Sequence, residues 1–241
     1  CASTFRDTDY QGGCNGAYVR FDDDSETQNT IDSLRAIKDD HNDVSYADLI
    51  VLAAQVSLED AGSNTMVFCG GRTDATDNNR DYLEPIAYDS RLSTVVKVKD
   101  TMSVQGLTAR QGVALAGMPS GSDNMSNEFF FYLIVASDNG LQGDFTDNEW
   151  ALAEDPELRA IVKLYAENQS EFMAEFAGAW TYLMTADRFE GPRANACSGV
   201  DTPTLESETT TEETTEASTA NSVSITLAAA GSVLAVVGML W

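Results

Sequence analysis

Apolar residues that recur at helical spacing behind side-chain N-caps constrain the fold more than any other feature of the chain. Ser45, followed three residues later by Asp48, has the spacing of a capping box, and Leu49, Ile50, Leu52, Ala53 and Val56 follow on one helix. Thr108 and Gln111 repeat the signature before a short apolar helix that Gly117 and Pro119 stop. Asp155 as cap and Pro156 at the first helical position open a helix carrying Leu158, Ile161, Val162 and Tyr165. Ser170 opens another, with Phe172, Phe176, Ala179, Trp180 and Leu183 on one face and Glu171 and Glu175 on the other. Asn127 is placed to cap residues 128–135, a run apolar enough to predict burial on most sides, with a strand as the competing reading of so short a segment. These five elements predict a mainly α domain.

Two Gly-rich pieces interrupt the helices, Gln11-Gly12-Gly13-Cys14-Asn15-Gly16-Ala17 and Phe68-Cys69-Gly70-Gly71-Arg72-Thr73-Asp74-Ala75. Neither has the spacing of a dinucleotide fingerprint or of a phosphate-binding loop, and tight turns needing positive φ account for them. The formal net charge of −25 opposes nucleic-acid binding, which needs a basic face. The chain's one histidine, His41, excludes metal sites and proton relays built on two imidazoles. It sits in Lys38-Asp39-Asp40-His41-Asn42-Asp43, which reads as a solvated charged turn.

Composition changes sharply after the helices. No Lys or Arg follows Arg193, and residues 193–222 become a Thr/Ser/Glu-rich stretch too polar to offset its ordering entropy, hence a disordered acidic stalk. Residues 223–241 carry no charge. Small residues at Ala217, Ser218, Thr219 and Ala220, a short polar spacer and this apolar tail match the signal for a glycosylphosphatidylinositol anchor, with Ser218 as the candidate attachment residue. A single membrane span is the competing reading. Either tail makes a membrane the expected partner and the extracellular face of the plasma membrane, reached by the secretory route, the expected location. The sequons at Asn124 and Asn168 are candidate glycosylation sites there. The four cysteines, Cys1, Cys14, Cys69 and Cys197, form no CxxC pair and point to disulfides, with the pairing open.

Several separated motifs, in order and spacing, resemble the class I haem peroxidases: ASTFR at 2–6, GGCNGAYVRF at 12–21, SYADLIVLAAQVSLEDAG at 45–62 and GGRTDAT at 70–76. YLEPI at 82–86, GLTA at 106–109, NEFF at 127–130 and AWTYLMTADRF at 179–189 are similar, in particular, to the C-terminal, haem-free domain of catalase-peroxidases. The resemblance covers residues 1 to about 190 and implies a haem-peroxidase-like helical bundle over residues 1–192, N-terminally incomplete because the match begins inside a helix.

Active members of that family hold haem b between a proximal and a distal helix and cleave peroxide with a distal His and Arg. Heterolytic cleavage needs a group that takes and returns a proton near neutral pH, which imidazole does. The resemblance places Met118 at the proximal ligand position and sets the distal His immediately before Cys1. It aligns the proximal carboxylate with Glu149 to within a residue, and gives Arg72 and Asp74 the family's GRxD loop, a loop-holding role. A thioether on iron suits electron transfer rather than peroxide cleavage, so Met118 reads as a core residue at a helix end. The family's fold brings the loops of Cys14 and Cys69 near the same end of the haem cleft, which makes these two the candidate disulfide.

The resemblance therefore implies a domain of a hydrogen peroxide-dependent oxidoreductase family that has lost haem and serves as a non-catalytic surface structural or interaction module. No catalytic residue, metal or cofactor is expected in this chain, and an N-terminal haem domain is an expected partner. The alternative is an active, surface-anchored haem peroxidase that removes hydrogen peroxide.

Overall fold

The computed structural model describes residues 1–78, 86–119 and 124–187, and the expected stalk and tail lie outside them. Eight α-helices and two short 3-10 turns account for the regular structure of the described residues, joined by two isolated β-bridges. After the 3-10 turns at Ala2–Thr4 and Tyr18–Phe21 come α1 (Ser25–Asp40), α2 (Tyr46–Asp60), α3 (Thr94–Val104) and α4 (Ala109–Ala116). The second half holds α5 (Glu128–Asp138), α6 (Asp147–Glu154), α7 (Pro156–Glu167) and α8 (Gln169–Ala186). The expected mainly helical, peroxidase-like domain is what the structure contains.

Local chemistry sets most of the starts. Thr108 and Gln111 form a complete capping box at α4, and Asp155 accepts from the amides of Glu157 and Leu158 at α7, where Pro156 occupies the first position. Three helices beyond the five read from the sequence begin in the same way. Asp24 caps α1 through Thr27 N at 2.9 Å, Ser93 caps α3, and Thr146 with Glu149 forms a second complete box at α6. Helix α8 begins at Gln169 rather than Ser170, after Asn168, so Ser170 lies inside its first turn.

Helix α4 packs on α7 and α8, α5 lies across α6 and α7, and α1 joins α2 and the second 3-10 turn. A ladder of buried rings runs through the bundle. Phe130 meets Tyr165 at 5.3 Å and Phe172 at 4.9 Å between ring centroids, Phe172 meets Phe176 at 6.0 Å, and Phe176 stacks on Trp180 at 6.4 Å. Gly117, just past α4, lets this ladder close, because a Cβ there would come within 2.6 Å of Phe130 Cζ.

The segment 128–135 is a helix, not a strand, and it is not buried on most sides. Phe130 and Leu133 face α6 and α7, whereas Phe131, Tyr132 and Val135 are 54%, 55% and 43% exposed. Among the described residues, neighbours cover one stripe of α5, and a run as apolar as 129–135 cannot report which stripe that is. Asn127 does not cap it either; its Nδ2 donates to Tyr165 O and Ala166 O, tying the start of α5 to the end of α7.

The disulfide is Cys1–Cys14, not Cys14–Cys69. The chain turns back on itself through the Arg6 to Gln11 bridge, and Gly12 and Gly13, at φ of 77° and 81°, direct Cys14 towards the first turn. Thr4 Oγ1 accepts from Gly13 N at 3.0 Å, which fixes the return. Cys69 is also disulfide-bonded, but not to Cys14.

Candidate functional site

Two regions carry the residues singled out from the sequence: the end of α4, and the junction of the two Gly-rich loops. At the first, Met118 N donates to Leu115 O at 3.2 Å and its half-buried side chain packs against the core. With Pro119, Asn124, Ser126, Phe129 and Tyr132 it lines a cavity of about 550 Å³.

His41 is not brought to this site. It is the exposed residue that ends α1, with its backbone amide donating to Ile37 O and its carbonyl accepting from Val44 N. Glu149, which the resemblance aligned with the proximal carboxylate to within a residue, has a local partner. Its Oε2 accepts from Thr146 N at 2.7 Å and Thr146 Oγ1 at 2.8 Å, so the carboxylate closes the cap of α6. Among the described residues no group of three His, Cys, Asp or Glu side chains is placed to share a metal ion.

At the loop junction, chemistry and geometry do converge, around Arg72. Its side chain is fully buried; Nη1 donates to Asp48 Oδ1 at 3.0 Å and to Cys69 O at 3.1 Å, and Nε donates to Asp187 Oδ1 at 3.2 Å. Asp187, at the end of α8, also accepts through Oδ2 from the amides of Cys14 and Asn15. One cation therefore holds two carboxylates from distant parts of the sequence. Burial pushes the Asp187 carboxyl above its ordinary range, opposed by the Arg72 charge and the two loop amides. Arg72 Nη2 has no hydrogen-bond partner among the described residues.

Asp48 explains why the capping box at α2 is only half formed. Ser45 Oγ accepts from Asp48 N at 3.0 Å as expected, but the Asp48 carboxylate turns to Gly71 N, Arg72 N and Arg72 Nη1 instead of back to the cap. The amides left over are taken by Asp74, which accepts from Tyr46 N at 2.9 Å and Ala47 N at 3.0 Å. Gly16 N donates to Thr73 O and Ala75 N to Gly16 O, both at 2.8 Å, so the two Gly-rich loops are stitched together by backbone. Arg72 and Asp74 thus hold the loop, the role the GRxD resemblance gave them. Asp187 was the residue missed; a carboxylate directly after the apolar run of α8, inside the TADRF motif, was the available signal.

The family model described as peroxidase matches residues 1–142, and the chain belongs to the peroxidase family. Within that family it is catalase-peroxidase-like. It is 32% identical over 257 residues to the catalase-peroxidase of Sphingopyxis alaskensis, a match covering 78% of this chain and 34% of the relative. The catalase-peroxidases of Escherichia coli (29% over 259 residues; 78% and 35%) and Legionella pneumophila (31% over 251 residues; 78% and 34%) match similarly. The chain spans about a third of the length of these curated relatives.

The family is haem-dependent, and the residues present do not fit haem as its active members hold it. Met118, which the resemblance sets at the proximal ligand position, offers a thioether, the one imidazole of the sequence is exposed at the end of α1, and Glu149, which the resemblance aligns with the proximal carboxylate, closes a helix cap. Helix α4 also presses directly on its neighbours, a Cβ at Gly112 meeting Met102 Cγ at 2.6 Å.

Proposed function

We propose that this chain is a haem-free domain of a catalase-peroxidase-like protein, corresponding to the C-terminal domain of that family, and that it acts as a structural or interaction module rather than as a catalyst. The resemblance that sets Met118 at the proximal ligand position carries this reading. A thioether does not supply the electron push or the proton chemistry that heterolytic peroxide cleavage requires. What the structure invests in instead is rigidity at the loop junction, where Arg72 joins α2, α8 and both Gly-rich loops.

The same reading places the domain outside the cell, delivered by the secretory route and held at the plasma membrane through the apolar tail 223–241, with Ser218 as the lipid attachment residue and a haem domain as its partner. The Cys1–Cys14 disulfide supports an oxidising compartment. The sequons at Asn124 and Asn168, both exposed, fit the same compartment. Among the described residues no helix is long and apolar enough to cross a membrane, and the tail lies outside them.

Titration of the full chain with haemin, followed by visible absorption, tests the central claim. A spectrum that stays that of free haemin is expected. A sharp Soret band saturating at one haem per chain would overturn the reading and favour the surface-anchored peroxidase.

A further inference from the structure

Helix α5 presents an aromatic face that the bundle does not use. Phe131, Tyr132 and Val135 fall within about 100° of the helix circumference at 100° per residue, and the rings of Phe131 and Tyr132 meet edge to face at 5.7 Å. Each is about half exposed. A contiguous exposed apolar patch on an acidic surface marks a place that something covers.

The sequon at Asn124 lies beside the Tyr132 edge of this face. Asn124 is exposed, and both Asn124 and Ser126 line the cavity of about 550 Å³ that Tyr132 and Phe129 also line. Among the described residues that line it, Glu128 is the one that carries a charge. A neutral, amphipathic ligand suits such a wall, and a hexose-type ring is one: its C–H face packs on an aromatic ring while its hydroxyl rim stays in water. A second copy of this chain suits it less, because a chain with net charge −25 repels its own kind, and an anionic lipid surface is disfavoured on the same ground.

We propose that Asn124 carries an N-linked glycan whose first sugars lie over Tyr132 and Phe131 and cover the aromatic face of α5. The inference rests on the secretory reading given above. In the attachment, Asn124 Nδ2 loses a proton and bonds to the anomeric carbon of an oligosaccharide. The lipid-diphosphate carrier of that oligosaccharide leaves with the electron pair of the broken bond. The glycan then does for α5 what a neighbouring helix does elsewhere, with the polar rim outward.

The test uses the full chain expressed in a eukaryotic host, with peptide mass mapping of both sequons before and after enzymatic removal of N-glycans. Occupied Asn124 is expected, together with a several-fold rise in fluorescence of an apolar-surface dye when glycan is removed from the folded protein. The rise should vanish in the Phe131→Ser, Tyr132→Ser double variant and persist in Asn168→Gln. Occupied Asn168 with bare Asn124 would overturn the proposal while leaving the secretory reading standing, whereas a chain retained in the cytosol with both sites bare would remove that reading and the proposal with it. Dye fluorescence unchanged on deglycosylation, or self-association of the glycosylated chain that the double variant abolishes, would also overturn the proposal, the latter by assigning the face to a second copy.

Discussion

Arg72 Nε donates to Asp187 Oδ1 at 3.2 Å across 115 residues of sequence, and both side chains are buried. The contact joins the loop after α2 to the end of α8, while Arg72 Nη1 reaches Asp48 inside α2. Removing the cation leaves two buried carboxylates without their shared partner. The Arg72→Met variant should therefore lose about 3–5 kcal/mol of unfolding free energy, measured by urea denaturation at neutral pH. A loss under 1 kcal/mol would mean that water reaches both carboxylates.

The raised pKa of Asp187 has a definite consequence for stability against pH. The unfolded chain releases this proton near the ordinary value of 3.8, whereas the buried native carboxyl holds it to higher pH. Stability contributed by Asp187 is thus fully present below that ordinary value and is lost as pH rises through the native pKa. Relative to Asp187→Asn, whose side chain does not titrate, the wild-type protein should lose ground over that rise and then level off. Denaturation of both proteins at a series of pH values checks it; a gap that widens in favour of the wild type with rising pH would contradict the assignment.

Non-reducing peptide mapping should recover Cys1 and Cys14 in one linked pair. The bridge closes a loop of 13 residues' separation, so Cys14→Ser should lower stability by about 3 kcal/mol on the loop-entropy scale. Linked peptides containing Cys14 and Cys69 would restore the pairing that the family resemblance suggested.

Gly117→Ala should be costly for steric rather than conformational reasons. Its φ is −82°, open to any residue, but the added methyl would stand 2.6 Å from Phe130 Cζ and 3.0 Å from Phe172 Cε2. A loss of about 1–3 kcal/mol is expected. Gly112→Ala meets the flexible Met102 side chain instead and should cost less. Thermal melts of the two variants side by side decide the order.

The residues by themselves determined the helices and the family. Capping and apolar periodicity act within four residues, so Thr108, Gln111, Asp155 and Pro156 announce α4 and α7 whatever surrounds them. Tertiary structure decided what depends on residues farther apart in the chain: that Asp48 serves Arg72 instead of its own cap, that Cys14 meets Cys1, and that Phe131 and Tyr132 face outward. A carboxylate can satisfy a local amide or a distant guanidinium, and the choice is made by which partner is desolvated beside it. An apolar helix such as α5 can bury any stripe, and only the positions of α6 and α7 select Phe130 and Leu133.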